Sequence, residues 1–255
     1  VRAIVRPPSP QLADGLVTHI DRLPVDVSAA RRQWQAYVDV LAGNGWQVIE
    51  APAADSCPDG VFVEDAAVVF GDLAVCTRPG APSRRPEVDT IEPLLAAAGL
   101  HVHRIIAPGT LDGGDVLKVG RTAYVGRGAR TNDDGIHQLR RLLAPAGWEV
   151  VAVPLSKVLH LKSAVTALPD GTIVGWPPAL DDVGVFPSFL AMPEETGAHV
   201  VDLGSGRLLI DANAVASQQV LRDRGYVPVP VDIGEFVKLE GCVTCLSIRV
   251  RSSPT

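Results

Sequence analysis

One short phrase recurs along this chain and does most to limit what it can fold into: a glycine, an apolar or aromatic residue, then alternating apolar positions. It reads NGWQVIEAP from Asn44, AGLHVHRIIAP from Ala98, AGWEVVAVP from Ala146, TGAHVVDL from Thr196 and RGYVPVPVD from Arg224. The copies follow segments of helical character, such as RRQWQAYVDVLAGN, PEVDTIEPLLAAAG, DDGIHQLRRLLAPAG and ASQQVLRDRG. Each glycine therefore stands where a helix C-cap gives way to a strand. The glycines Gly45, Gly99, Gly147, Gly197 and Gly225 are 54, 48, 50 and 28 residues apart, so the last unit is short and has to borrow strands from elsewhere.

Two units match over a longer stretch. Asp65 to Ile105, DAAVVFGDLAVCTRPG…AAAGLHVHRI, parallels Asp115 to Val153, DVLKVGRTAYVGRG…APAGWEVVAV. In both, two apolar strands flank a glycine turn (FGDL, VGRT), and an arginine-bearing loop leads into a helix. The terminal CVTCLSIRV reads as a strand with no helix after it, placed to complete the first unit. Strands arriving in pairs before each helix argue against a doubly wound sheet. No G-x-G-x-x-G opens a helix after a strand, so no nucleotide cofactor is indicated. The expected architecture is one α/β domain over residues 1–255: a five-bladed α/β propeller with pseudo-fivefold symmetry, closed by the two chain ends, its strand ends converging on a central axis.

Composition narrows the partners. The chain is 47% hydrophobic and 20% charged, which is globular, and its net charge of −6 with no basic stripe argues against nucleic acid. No uncharged apolar run reaches the length of about 18 residues that a membrane span needs. The opening VRAIVRPPSP lacks the layout of a signal peptide. A cytoplasmic protein without a membrane partner is expected, and its four cysteines are too few for a secreted disulfide framework.

Cys242 and Cys245 form a C-x-x-C on what reads as a strand, where residues i and i+3 face opposite sides. They are not expected to share a site, and redox C-x-x-C pairs normally open a helix. Structural zinc lacks a second ligand pair at matching spacing. Polar residues at equivalent points of the repeats are more informative: Asp112 and Asp115 in LDGGDVL, Glu64 and Asp65 in VFVEDAAVV with Asp59 in the nearby CPDG, and His160 in VLHLKSAVT. Rotation about one axis would bring these acids, the histidine and Cys245 together. A thiolate attacks an electrophilic carbon, a histidine moves protons, and carboxylates hold a cation, which suits a guanidinium carbon.

With these residues the chain resembles the guanidine-modifying superfamily, the pentein fold, and within it the dimethylarginine dimethylaminohydrolase family. CPDGVFVEDAAVV, TRPGAPSRRPEV, TLDGGDVL, YVGRGARTN, LHLKS and EGCVTCLSI carry the resemblance over nearly the whole chain. It implies hydrolysis of Nω-methylated arginines to citrulline and an alkylamine, with neither metal nor organic cofactor. It further implies Cys245 as nucleophile, His160 as general acid and base, and Asp112 as the carboxylate supporting it. Substrate-binding positions fall on Asp59, Glu64, Asp65, Arg84, Arg130 and Leu239, with Ile20 from the N-terminal loop GLVTHIDRLP, while Cys242 matches no catalytic position. Lys162 stands where the arginine and agmatine deiminases and the amidinotransferases have a second clamping aspartate, which leaves room for N-methyl groups. The alternatives on the same fold are an arginine deiminase-like or other alkylguanidine hydrolase, and a non-catalytic binding ring. A homodimer is compatible with the sequence.

Overall fold

The computed structural model of the chain describes residues 1–251. It opens with strand β1 (Arg2–Val5), helix α1 (Val27–Gly43) and strand β2 (Gln47–Glu50). Strands β3 (Ala67–Phe70) and β4 (Leu73–Cys76) lead to α2 (Glu92–Ala97) and β5 (His101–Arg104). The plan repeats as β6 (Val116–Val119), β7 (Thr122–Arg127), α3 (Asp133–Leu143) and β8 (Glu149–Pro154), then as β9 (Val165–Ala167), β10 (Ile173–Gly175) and β11 (Phe189–Ala191). The chain finishes through β12 (Val200–Gly204), β13 (Arg207–Asp211), α4 (Val215–Asp223), β14 (Val227–Val231), the single-turn α5 (Gly234–Val237) and β15 (Ile248–Val250).

These strands make five three-stranded sheets, the blades of an α/β propeller. In each, the first strand pairs antiparallel with the second, and the second runs parallel with the third. The first blade takes its first strand from the other end of the chain: β15 lies antiparallel to β1, with Val250 opposite Arg2. The two ends thus meet as the sequence implied. A parallel second and third strand need a crossover connection, and α1, α2, α3 and α4 provide it in four blades.

Local sequence explains where the two longest helices begin. Asp26 caps α1 by accepting from the amides of Ser28 and Ala29, and Asn132 caps α3 by accepting from Gly135. Ala30, Trp34, Tyr37 and Leu41 recur at helical spacing and are the buried face of α1. Gly45, Gly99, Gly147 and Gly225 precede the third strand of their blades with φ between 70° and 85°, a conformation glycine adopts without steric cost.

Gly197 departs from this pattern. It lies in a 3-10 turn, Glu195–Ala198, ahead of β12, packed so tightly on Ser217 that a side chain would overlap it. TGAHVVDL is therefore the first strand of the fifth blade, not the third strand of the fourth. The fourth blade crosses from β10 to β11 through two 3-10 turns, Pro177–Ala179 and Val183–Val185, in a segment whose prolines remove helix amides. The 28-residue interval reflects this shift, and every blade has its full three strands.

The five first strands β15, β3, β6, β9 and β12 surround a cavity of about 800 Å³ on the axis. Among the described residues no helix is long and apolar enough to cross a membrane.

Candidate active site

Four of the five first strands are entered through a short 3-10 turn: Val63–Ala66, Gly113–Asp115, Leu161–Ser163 and Glu195–Ala198. Asp112 and His160 each immediately precede their turn, while Asp65 and Asp115 lie within theirs. The repeat therefore delivers these groups to one place. His160 Nε2 lies 2.9 Å from Asp112 Oδ2, and Asp112 Oδ1 accepts from the amide of Gly80 at 2.8 Å. Asp65 Oδ1 accepts from the amide of Gly114 at 2.7 Å, and Asp115 accepts from Leu161 N and Thr131 Oγ1 at 3.0 and 2.5 Å. A methyl group on Gly114 would sit 2.7 Å from both Asp65 Oδ1 and His160 Nδ1. The LDGGD glycine is thus required by close approach, whatever its own backbone angles.

Cys245 is not on a strand. It sits in a turn that precedes β15, closed by its amide donating to the carbonyl of Cys242 at 3.1 Å. A turn brings residues i and i+3 to the same side, so the two sulfurs lie 3.1 Å apart, and the expectation of opposite faces is overturned. The turn is held from three directions. Glu64 N donates to the Cys245 carbonyl at 3.1 Å, Arg249 Nη1 donates to the carbonyls of Thr244 and Ser247, and Tyr37 Oη meets Ser247 Oγ at 2.7 Å.

One small pocket, about 20 Å³, is lined by Cys245, His160, Asp59, Asp65, Arg84, Arg130 and Leu239. Asp112 stands fully buried behind His160. Two expected substrate contacts fall elsewhere. The Glu64 carboxylate turns to the wide axial cavity, paired with Lys162 Nζ at 2.6 Å and with Arg249. Glu64 and Asp65 are consecutive in a tight turn, so they diverge to different cavities. Lys162 faces that same axial cavity, away from the small pocket. Ile20 is 42% exposed and lines neither cavity. The N-terminal loop instead places Leu16 in the pocket, its amide donating to both Asp59 oxygens at 3.0 and 3.2 Å.

The loop itself is tied down by Glu240, whose carboxylate accepts from Thr18 N, Thr18 Oγ1 and His19 N. Residues invisible to sequence reasoning hold the site from behind. Arg6, fully buried, donates to the carbonyls of Pro52, Gly60 and Glu87 and to Thr90 Oγ1, pinning the segments that carry Asp59 and Arg84. Its position after the apolar AIV strand was the available signal.

The two arginines differ in what they have left to offer. Arg84 is closed onto Asp65 at 2.6 Å, onto Glu87 at 3.1 and 2.8 Å, and onto the carbonyls of Asp59 and Phe62. Arg130 Nη1 is buried with no hydrogen-bond partner, 3.5 Å from Asp112 Oδ2.

Burial alone would lower the His160 pKa, but Asp65, Asp112 and Asp115 outweigh it and push it up to about 9. Burial would raise Asp65, yet His160 and Arg84 bring it down to about 2. Asp115 goes the other way, to about 6, because burial prevails. The Cys245 thiol is raised by the sulfur of Cys242, by burial, and by the Glu64 and Asp65 carboxylates. Asp65, Asp112 and His160 offer ligand atoms within 4.8 Å of one another, the only such grouping among the described residues. Their lone pairs are already directed to Arg84, Gly80, Gly114 and each other.

A five-bladed propeller with a buried cysteine, histidine and carboxylates at its axis defines the guanidine-modifying class. No protein-family model matches the chain. It is 59% identical over 250 residues, 98% of this chain and 97% of the relative, to N(G),N(G)-dimethylarginine dimethylaminohydrolase of Streptomyces coelicolor. The chain belongs to the dimethylarginine dimethylaminohydrolase family. Among solved structures, a cysteine-to-serine variant of the Pseudomonas aeruginosa enzyme complexed with citrulline superimposes with a TM-score of 0.90 at 32% identity, covering 97% of this chain and 98% of that one. A histidine-to-glycine dimethylarginine dimethylaminohydrolase carrying an S-methyl-L-thiocitrulline adduct does so with a TM-score of 0.91 at 31% identity and the same coverage.

Proposed function

We propose that this protein hydrolyses Nω-methylated arginines to citrulline and methylamine or dimethylamine, with Cys245 as nucleophile, His160 as proton carrier and Asp112 orienting His160. The observation that carries the reading is the buried pocket that brings Cys245 together with His160, itself hydrogen-bonded to Asp112. Family membership and the citrulline-bound relative support the substrate class.

In the proposed cycle the planar guanidinium enters against Asp59 and Asp65, and its charge lowers the pKa of the Cys245 thiol that the surrounding negative groups hold up. Cys245 Sγ adds to the guanidinium carbon. The alkylamine nitrogen takes its proton from His160, the carbon–nitrogen bond breaks, and an S-alkylthiouronium remains on Cys245. Neutral His160 then takes a proton from water as the water attacks the same carbon, the carbon–sulfur bond breaks, and citrulline leaves. Arg130, with a free donor at the pocket wall, is the better partner for the amino-acid carboxylate, because Arg84 is already saturated by protein acceptors. Leu16 and Leu239 close the pocket around the substrate's backbone end.

Lys162 faces away from the pocket, so the preference for methylated substrates over arginine rests on the relatives and not on that position. The same reading takes the protein as cytoplasmic, without nucleic-acid or membrane partners, and compatible with a homodimer. Citrulline release from Nω,Nω-dimethylarginine, Nω-methylarginine and arginine, measured side by side, tests it. Turnover of the methylated substrates with little from arginine is expected. Turnover of arginine alone moves the chain to a deiminase activity.

A further inference from the structure

Cys242 has no place in the proposed cycle, yet its sulfur is 3.1 Å from that of Cys245. Both are free thiols, 2% and 7% exposed. The amide of Cys245 donates to the carbonyl of Cys242, and such a turn holds its end Cα atoms within about 7 Å, the range a disulfide spans. Bringing the sulfurs to bonding distance, about 2.05 Å, closes a gap of about 1 Å. Cys242 Sγ also touches Thr244 Oγ1 at 3.2 Å and lies 3.9 Å from the Lys162 carbonyl, which keeps it beside Cys245. Cys245 opens onto the substrate pocket, whose volume of about 20 Å³ admits a solute near the size of water.

We propose that Cys242 is a resolving thiol for Cys245: hydrogen peroxide entering the substrate pocket oxidises Cys245, and Cys242 converts the product into a disulfide that reversibly switches the enzyme off. In the first step the Cys245 sulfur attacks one peroxide oxygen and the oxygen–oxygen bond breaks. The departing hydroxide takes the proton released from the thiol and leaves as water, and Cys245 becomes a sulfenic acid. In the second step the Cys242 sulfur attacks the Cys245 sulfur and the sulfur–oxygen bond breaks. The hydroxide takes the Cys242 proton, so two thiols and one peroxide give one disulfide and two waters. A dithiol reductant reverses the change. With the nucleophile bonded to its neighbour no guanidinium carbon can be attacked, and Cys245 is shielded from irreversible sulfinic and sulfonic acids.

The loss of activity rests on Cys245 being the nucleophile, whereas the disulfide does not, so it is read by mass. Wild type, Cys242→Ser and Cys242→Ala are treated with hydrogen peroxide, alkylated, and analysed by intact mass and peptide mapping. Citrulline formation is followed before and after dithiothreitol. The wild type is expected to lose two hydrogens, to give a Cys242–Cys245 linked peptide, and to regain its activity on reduction. The variants are expected to add oxygens to Cys245 and to recover almost none of the activity lost. Accumulation of sulfinic acid on wild-type Cys245, as fast as in the variants and without the linked peptide, overturns the proposal. If the variants do not fold, the wild-type map decides alone: linked peptide for, sulfinate without it against. A linked peptide in a protein that turns over no methylarginine keeps the thiol pair and refutes the substrate reading instead.

Discussion

His160 is the residue on which most of the site's electrostatics turn. Its pKa is raised from 6.5 to about 9 in the folded protein. The resulting stabilisation is fully present below pH 6.5 and is lost as pH rises through 9, a swing of about 3 kcal/mol shared with its partner Asp65. Urea unfolding at pH 6.5 and pH 9.5 is expected to show this loss in the wild type and to show it reduced in His160→Gln. Equal pH dependence in the two proteins contradicts the assignment. The same variant is expected to lose about 10² to 10⁴ in turnover, the usual range for removal of a general acid and base. That Cys245, His160 and Asp112 come together was legible in the sequence because the repeat brings the entrances of equivalent strands to one axis; the roles proposed for them came from the family resemblance. Leu16 was not, because its loop belongs to no repeat and nothing local marks which residue turns inward. Arg6 was equally opaque: one arginine after an apolar strand looks like a surface charge until four acceptors from three segments are seen around it.

The short turns before the first strands do the positioning, and they carry the clearest difference between pattern and structure. Alternation assigned Cys242 and Cys245 to opposite faces because it extended β15 back through both, whereas the strand begins only at Ile248. The turn over residues 243–246, in place of strand, reverses the conclusion about the pair. The Gly113–Asp115 turn offers the matching test. Gly114→Ala places a methyl group against His160 and Asp65, and displacement of about 1 Å at a catalytic group is costly to rate. A fall of about 100-fold in kcat is expected, with a smaller change in KM and a protein still folded by circular dichroism. Unchanged kcat would show that the turn is looser than its contacts indicate.

The five-bladed ring was legible at the scale of the whole molecule because glycine caps and paired strands repeat, and the closure of the first blade by β15 followed from a terminal strand with no helix after it. The fourth blade was misread, since it replaces the glycine-capped helix with proline-rich turns that carry no repeat signature. Closure has a thermodynamic consequence. Truncation after Ser247 removes β15, leaves β1 without its antiparallel partner and opens the ring beside Cys245, so the shortened chain is expected not to give a cooperative unfolding transition. Arg6 ties the first blade to the segments that carry Asp59 and Arg84, and stripping it away leaves buried acceptors unpaired. Arg6→Ala is expected to destabilise the protein in urea unfolding by at least the cost of one buried acceptor left unpaired, about 1 to 3 kcal/mol, and a cost below about 1 kcal/mol would mean that water replaces it there.

Every role proposed for the pocket depends on a guanidinium carbon becoming bonded to Cys245. Mixing the protein with Nω,Nω-dimethylarginine, quenching in acid within the first turnovers and mapping the peptides reads that bond directly. A thiouronium adduct is expected on the C-terminal peptide, assigned by fragmentation to Cys245 and not Cys242, and both adduct and turnover are expected to be absent from Cys245→Ser. Citrulline formed by Cys245→Ser, or an adduct on any other residue, would contradict the role of Cys245.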